Sequence, residues 1–502
     1  MKDKKKKPAV WLGWFYRWHR RFAIVGSIPV ILWCLSGLAH PFMANFFPTK
    51  PAKRIYVSRH STDGIIGLSE IIKTNPSLDF TNVRFVNLQG NTCYQIHIEG
   101  DSSIYIDATT GTVISNGENK YAIQLARYFI ADSVSGIESV RRVDKYGNDY
   151  PIINRLLPVY EISFQRADNM KVYVHTLSDS LGTVSDRKRS VFKWFFNIFH
   201  KWEWLIGSGL RIPIILIFTG LMFLVSVSGL FIYGIGWRRF RSTKGKSSLS
   251  KKRSRHRLLG LSSSVFFLMF SYSGFYHAYM KITPDLRHLS KYKTSIPSES
   301  IKSDLLYLLD SCKSDQFDIV RFKGKSFFRI AVSKNKRAKK NEYLYFNTTD
   351  GKPITDGPRT YALFLAETFG APAKDQLLSI ELVNRFGGEY GFVNKRLPVY
   401  KLQYRTAGHS TFYIDTKRGK LAARINDSDR REGFTFAFLH KFHMLDFLGK
   451  KGRDGIISLV VLFILFVTCH ALWQLIIRRR ERKSNSNKPN KCVKQDESLV
   501  KT

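Results

Sequence analysis

The chain has few cysteines and few acidic residues, and both deficits restrict what it can be. Five cysteines in 502 residues include no CxxC pair, so the sequence predicts no zinc site, no thioredoxin-like centre and no covalently attached c-type haem. A disulfide between Cys93 and Cys312 stays open, because their positions neither favour nor exclude it. The 39 Asp and Glu residues stand against 80 Lys and Arg residues, a net charge of +41. Such an excess indicates an anionic partner, either nucleic acid or a membrane surface.

Motifs for nucleotide chemistry and for hydrolysis are also missing. No GxGxxG follows a strand pattern, and the sequence contains no Walker loop, no HExxH and no recognisable nucleophile motif. No nucleic-acid recognition motif accompanies the positive charge. We therefore expect the chain to bind neither a nucleotide nor a nucleic acid.

Long apolar runs, by contrast, are present, and each has about the 20 residues that a helix needs to cross a bilayer. The four runs cover residues 22–42, 212–237, 258–280 and 456–477. The first also has the form of a signal peptide, but it resembles the third run, which lies too far inside the chain to be one. The sequence therefore predicts four retained membrane spans surrounded by lipid.

The positive charges orient these spans. Lys and Arg residues cluster beside them in three segments, residues 1–21, 238–257 and 478–502. The positive-inside rule assigns these segments to the cytoplasm. The two long segments, residues 43–190 and 281–435, then lie outside, and the aromatic-rich segments 191–211 and 436–455 lie at the membrane interface.

The chain contains an internal repeat. Residues 140–160 read VRRVDKYGNDYPIINRLLPVY, and residues 380–400, at an offset of 240, read IELVNRFGGEYGFVNKRLPVY. An offset of 237 likewise matches residues 19–40 with residues 256–277, including a His-Arg at the start and a Ser-Gly near the end. We interpret the chain as two tandem copies of helix, outer domain and helix, related by a pseudo-two-fold axis along the membrane normal.

The outer segments show strand and turn patterns. Residues 105–114 (YIDATTGTVI) predict a strand, a Thr-Gly turn and a second strand, and residues 412–421 (FYIDTKRGKL) have the same form. Residues 65–73 and 361–369 are helix-like. The predicted fold class is therefore a membrane α-helical four-span bundle with extracytoplasmic α+β domains, each segment having room for two small modules.

Thirteen histidines are present, and eight lie in or beside the spans, where ionisable side chains are costly and are functional candidates. Six of the eight form three matched pairs: His19 with His256, His40 with His277, and His200 with His440. The predicted topology places the first pair at the inner membrane edge and the other two at the outer edge. Because 21 residues of helix span roughly 31 Å, His19 and His40 could serve opposite faces of the membrane.

Paired imidazoles in these places fit axial ligation of haem iron, and two imidazoles leave a six-coordinate centre suited to electron transfer. The cations that could pair with anionic haem propionates are Arg20, Arg257, Lys201 and Lys441. The small residues at 36–37 and 273–274 would let a macrocycle or another helix approach closely. We expect haem b, two per chain, although three matched pairs allow up to three, with electrons supplied by a membrane quinol or by a separate cytoplasmic reductase.

Other interpretations of the histidines stay open. His19 and His256 could belong to ordinary solvated helix ends, and duplication copies structural residues as well as functional ones. His443 aligns with Glu203 and is a weaker candidate ligand. His470 lies inside the fourth span and could replace an inner ligand.

Four spans, a His-Arg at the start of the first and third, and two outer domains with a YIDxxTGxV hairpin resemble the PepSY-associated transmembrane proteins. The resemblance covers nearly the whole chain. It implies a bacterial inner-membrane location, iron-regulated function and similarity to di-haem reductases of ferric siderophores. It also implies that His19, His200, His256 and His440 are haem ligands; His40 and His277 are not among the positions that it marks.

The main hypothesis is therefore a carrier that takes electrons across the inner membrane to a ferric siderophore or another periplasmic ferric chelate. Basic residues 333–340 could attract an acidic ligand, although a solvated loop also explains them. A rival hypothesis is a membrane-anchored PepSY module that binds peptides or restrains a protease without redox activity. A third is transport of a metal or small solute through the repeat interface. The sequence does not indicate an oligomeric state.

Overall fold

The computed structural model describes residues 7–56, 58, 60–74, 80–100, 102–147, 149–242, 248–282, 291–333, 341–391, 394 and 396–486. Most of the basic segment 333–340 and the ends of both basic termini lie outside these residues. The chain divides into two compact units. We call Met1–Phe46, Phe192–Thr283 and Phe434–Thr502 the helical unit, and Phe47–Val191 with Pro284–Gly433 the sheet unit.

Within the described residues the α-helices alternate with groups of strands. The helices are α1 (Lys7–Phe46), α2 (Leu68–Lys73), α3 (Gly117–Ile130), α4 (Arg187–Phe199), α5 (Arg211–Ser242), α6 (Ser248–Tyr279), α7 (Leu305–Ser311), α8 (Gly357–Thr368), α9 (Asp427–Thr435) and α10 (Gly449–Ser486). The strands of the first half are β1 (Phe80–Leu88), β2 (Asn91–Ile98), β3 (Ser103–Asp107), β4 (Ile137–Val143), β5 (Val159–Phe164), β6 (Lys171–His175) and β7 (Ser180–Ser185). Those of the second half are β8 (Phe317–Phe322), β9 (Lys325–Ser333), β10 (Asn341–Asn347), β11 (Leu377–Val383), β12 (Val399–Tyr404), β13 (Thr411–Asp415) and β14 (Lys420–Ile425).

Four helices of the helical unit are long and apolar enough to cross a membrane, and each contains one of the four predicted apolar runs. α1 packs against α5 and α10, and α6 packs against the same two helices, so the four form a closed bundle. α1 continues through Pro29 and Pro41. An apolar cluster that includes Val30, Met222 and Ile464 fills the middle of the bundle. The chain is a multi-pass membrane protein.

A short non-α segment precedes each of the helices α5 and α10. After α4 the chain makes a 3-10 turn at Glu203–Leu205. After α9 it makes a π-helical turn, Phe436–His440, and then a 3-10 turn, His443–Leu448. These two segments carry His200 and His440, so they position the pair of rings described below.

The sheet unit contains one six-stranded sheet and two four-stranded sheets. The order of the large sheet is β10-β9-β8-β1-β2-β3, and β1 pairs with β8 antiparallel at Arg84 and Asp318. Strands from both long segments therefore share one sheet, which the sequence pattern did not predict. The smaller sheets have the orders β4-β5-β6-β7 and β11-β12-β13-β14. The predicted hairpin at 412–421 is formed by β13 and β14, whereas at 105–114 β3 is followed by a single bridge between Ile106 and Val113.

Three large apolar cores and two smaller ones lie in the described part of the sheet unit, and the large ones pack its helices against its sheets. On one face, α2 and α7 cover the six-stranded sheet. On the other face, α3 packs between β1–β3 and the β4–β7 sheet, and α8 packs between β8–β10 and the β11–β14 sheet. Each of these two helices starts at a glycine in close contact with a tyrosine: a Cβ on Gly117 would lie 2.7 Å from Tyr105 Cβ, and one on Gly357 would lie 2.6 Å from Tyr345 Cγ.

Candidate functional site

The imidazole rings of His200 and His440 are neighbours within the helical unit. Their centroids are 6.4 Å apart, and their planes are inclined at 81°. One ring comes from the segment before α5 and the other from the segment before α10. The structure thus brings the rings of one of the three predicted histidine pairs close together.

Serine hydroxyls define the tautomer of both rings. Ser36 Oγ donates to Leu32 O (2.6 Å), so it accepts the contact of 3.2 Å from His200 Nδ1. Ser273 Oγ donates to Phe270 O (3.2 Å) and likewise accepts from His440 Nδ1 (3.2 Å). With the proton on Nδ1, the lone pair of each ring lies on Nε2, and that atom is available to a metal.

Both rings are also held by aromatic stacking. Phe196 stacks on His200 with centroids 4.5 Å apart, and Phe436 stacks on His440 at 4.8 Å. The residue four positions before each histidine thus packs on its ring and limits its rotation.

His40 and His277 lie near the His200–His440 pair. Their own two rings are not as close to each other as the rings of that pair are. The His277 ring stacks on Phe436 at 4.3 Å, and the His40 ring lies 5.9 Å from Phe196, tilted by 51°. Phe196 thus contacts the rings of both His200 and His40, and Phe436 contacts the rings of both His440 and His277. A ligand role for His40 and His277 stays a prediction.

Burial affects the charge state of the central pair. It lowers the pKa of His200 to about 4 and the pKa of His440 to about 3, chiefly because desolvation destabilises the imidazolium form. Both rings are therefore neutral at pH 7, which is the form that binds metals.

A second candidate site is a cavity of about 810 Å³ at the other end of the bundle, between α1, α5, α6 and α10. His19 and His256 both line it, and so do Arg20 and Arg257. The volume lies within the range of about 300 to 1,000 Å³ that is usual for cofactor pockets. The structure thus brings the first predicted pair and its two arginines to one cavity.

His19 is held by α5. Its Nδ1 donates to Val225 O (3.1 Å) and lies 3.0 Å from Ser228 Oγ, whose own proton goes to Val225 O. As in the other pair, Nε2 keeps the lone pair. The adjacent Gly229 leaves room for the ring, since a Cβ there would lie 3.3 Å from His19 Cε1.

The remaining predicted residues have other surroundings. His443 Nδ1 lies 2.8 Å from Asp446 Oδ2, which places it in a charged cluster with Arg453. His470 contacts Gln474 and the ring of Phe466, and the described lining of the cavity does not include it. Lys201 pairs with Glu203 at 3.0 Å.

Three of the predicted cations lie over aromatic rings, Lys201 being 6.0 Å from the centroid of Phe196. Lys441 Nζ lies 5.0 Å from the centroid of Phe436, and the Arg257 guanidinium lies 4.2 Å from that of Phe240. Among the described residues, no group of three or more His, Cys, Asp or Glu side chains could hold a bare metal ion.

Sequence reasoning missed several residues of these sites. Phe196 and Phe436 match at the offset of 240 and precede their histidines by four positions, so the repeat itself carried the signal. The serines at 36 and 273 were noted only for their small size, although their hydroxyls accept from the rings. Ser228 and Gly229 left no detectable signal, because their role depends on where α5 meets α1.

Comparison with known proteins gives one family match. The model of the PepSY-associated TM region matches residues 99–306, from the approach to β3 through α5 and α6 to the start of α7. No curated protein matches the chain significantly. The match bears out the resemblance that the sequence motifs indicated. Over residues 99–306 the chain is therefore similar to the PepSY-associated TM region.

Proposed function

We propose that the protein is a haem b-containing electron carrier of the bacterial inner membrane that reduces a ferric siderophore or another ferric chelate in the periplasm. The observation that carries the proposal is the neighbouring pair His200 and His440, both with Nδ1 protonated and both neutral. Two tandem helix–domain–helix copies with both termini in the cytoplasm would give such a carrier one site near each membrane face.

The pair near α5 and α10 fits a haem held by two imidazoles. Metal–imidazole bonds are about 2 Å long, so two rings that shared one haem iron would have centroids roughly 6 Å apart. The observed separation is 6.4 Å. The serine hydroxyls that accept from Nδ1 are the kind of partner that orients histidine ligands and raises their basicity.

The inner cavity fits a second haem. It has histidine on two of its walls, a volume suited to a cofactor, and an apolar lining that includes Val30, Met222 and Phe267. Arg20 and Arg257 supply the positive charge that two propionates need. His19 and His256 are the ligands that we propose here.

The residues of the chain would bind, orient and insulate the cofactors. Haem, when bound, supplies the reversible one-electron change between ferric and ferrous iron. His19 and Ser36 lie 17 residues apart on α1, roughly 25 Å along the helix, and the apolar cluster between them excludes water. Hydrogen bonds fix the rings of His19, His200 and His440, so little reorganisation would accompany a change of charge at a bound haem.

The absorption spectrum of the purified full-length protein tests this proposal. The protein should be made with ample haem supply, extracted in mild detergent and measured before and after dithionite. We expect a Soret band that shifts on reduction together with reduced α-bands, and a haem content near two per chain.

Absence of these bands would overturn the proposal and favour the rival, a PepSY module that binds peptides or restrains a protease. If the bands appear but a ferric chelate does not reoxidise the reduced haem, the proposed haem sites stand and that acceptor is excluded. His409→Ala is a suitable control variant, because this side chain is 72% exposed and lies in the sheet unit.

A further inference from the structure

A cluster of basic side chains is buried inside the sheet unit, away from the histidine sites. Arg396 is 1% exposed and Lys420 is 8% exposed. Arg396 donates to Arg155 O (2.5 Å) and to Leu421 O (3.1 Å), and Lys420 donates to Leu157 O (3.2 Å). Basic residues of the second long segment thus meet the backbone of the first segment at residues 154–160 (NRLLPVY), which match residues 394–400 (NKRLPVY).

The nearby negative charge is already paired. Asp415 is fully buried and accepts from Arg418 Nη1 (2.8 Å) and from the Arg418 backbone (3.2 Å). The other amino group of Arg418 donates to Ser180 Oγ (2.9 Å). Among the described residues, Arg396 and Lys420 thus share this one carboxylate with Arg418 and have none of their own, and the hydrogen bonds they donate go to backbone carbonyls.

The same basic cluster contains hydrogen-bond donor atoms that have no acceptor among the described residues. The Nε atoms of Arg155, Arg396 and Arg418 are buried and donate to no acceptor within the described part of the chain. A buried charge without a counter-charge is costly, and so is a buried donor without an acceptor. Something that supplies both negative charge and acceptor oxygens would remove both penalties.

The matched positions of the first segment show that the fold itself does not need these charges. At the offset of 240, Arg396 corresponds to Leu156, Arg418 to Ser178 and Lys420 to Ser180. Leu156 is 2% exposed in an apolar core. The first segment thus has the same backbone pattern with uncharged side chains at these three positions, so the cations of the second segment call for a separate explanation.

We propose that Arg155, Arg396 and Lys420 form a binding site for a small dianionic oxyanion, with inorganic phosphate as its simplest member. The guanidinium fork suits a phosphate oxygen pair, and the ammonium supplies a further donor. Because the positions that match Arg396 and Lys420 in the first segment are uncharged, we expect one such site per chain. This inference does not depend on haem binding, and its variants leave the histidine sites unaltered.

Thermal unfolding of the full-length protein in detergent tests the site. Inorganic phosphate is titrated at pH 7.5 in a chloride buffer of constant ionic strength, and sulfate and citrate are titrated in parallel. We expect a saturable rise in unfolding temperature with phosphate. No saturable rise with any of the three anions would overturn the proposal, whereas a rise with citrate alone would overturn the assignment to phosphate-like oxyanions.

Two variants replace a basic residue of the second segment with the residue at the matched position of the first segment. The matching backbone of the first segment already carries these residues, so we expect both variants to fold. Arg396→Leu and Lys420→Ser should each weaken phosphate binding at least tenfold and raise the unfolding temperature measured without phosphate. The exposed Lys374→Ser is the matched control and should respond like the parent protein. An unchanged phosphate response in Lys420→Ser would overturn the site, and calorimetric titration of the parent protein with phosphate decides the question if Arg396→Leu does not fold.

Discussion

His200 and His440 lie 6.4 Å apart, ring centroid to ring centroid, with their planes nearly perpendicular. They are 240 residues apart in sequence, and each is oriented by a serine of a different long helix, Ser36 of α1 or Ser273 of α6. The site therefore requires both halves of the chain. Neither half of the chain supplies both rings.

Removing one of these rings should remove one haem. In His200→Ala or His440→Ala we expect the haem content to fall by about half, because a single imidazole leaves the iron without its second axial ligand. The pyridine haemochrome absorbance per chain measures this. Unchanged haem content in both variants would show that the outer ligands are other residues, with His40 and His277 as the next to test.

Ser36 and Ser273 should affect the affinity and the midpoint potential of the proposed haem without being ligands themselves. Ser36→Ala or Ser273→Ala removes the acceptor for Nδ1, and losses of such outer partners weaken metal binding by roughly 10 to 100-fold. We expect faster haem loss to apomyoglobin and a shifted midpoint potential of one centre. Ser262→Ala is the control, since this hydroxyl donates only to Leu258 O of its own helix; an equal effect there would argue against an orienting role.

The inner cavity distinguishes His19 and His256 from His470. Because the first two line the cavity and His470 is not among its described lining residues, His19→Ala and His256→Ala should each abolish one centre, and His470→Ala should keep both. Reduced-minus-oxidised difference spectra of the three variants give the answer. Loss of a centre in His470→Ala with retention in His19→Ala would reverse the assignment.

Lys420 should make stability depend on pH. Burial, with smaller contributions from neighbouring cations, lowers its pKa from 10.5 to about 7. The unfolded chain then binds more protons than the folded one between pH 7 and 10.5, so stability rises with pH in that window. The charged and titratable groups around the ammonium are Lys291, Arg396, Arg418, Asp415 and His175.

We expect the free energy of unfolding without phosphate to rise by on the order of 2 kcal/mol between pH 7 and pH 9, at about 1.4 kcal/mol per pH unit at most. Denaturant titrations at several pH values measure it. Lys420→Met should lose this part of the pH dependence. A parallel pH profile in both proteins would mean that other groups cause it.

The two tight glycine–tyrosine contacts predict local sensitivity. Gly117→Ala should destabilise the sheet unit by about 1 to 3 kcal/mol, the usual cost of overpacking, because the added Cβ would overlap the Tyr105 side chain. Gly147→Ala, where no atom lies within 4 Å of the added Cβ, is the control. Equal unfolding midpoints for the two variants would contradict this account.

Much of the architecture was predictable from local patterns. The four apolar runs predicted the four long helices, since mean hydropathy over about 20 residues needs no knowledge of neighbours. The strand and turn chemistry predicted the hairpin of β13 and β14. The offset of 240 matched His200 with His440, because duplication leaves a record in the sequence.

Tertiary structure decided what those residues contact. Only the packed bundle shows that His200 and His440 are neighbours whereas His40 and His277 contact them through phenylalanine rings. Only the pairing of β1 with β8 merges the two long segments into one sheet. These relationships join residues more than 150 positions apart, and the period of a helix or strand carries no information about such distant partners. The sequence by itself therefore determined the elements and the candidate ligands, while packing between the two halves determined which of them form a site.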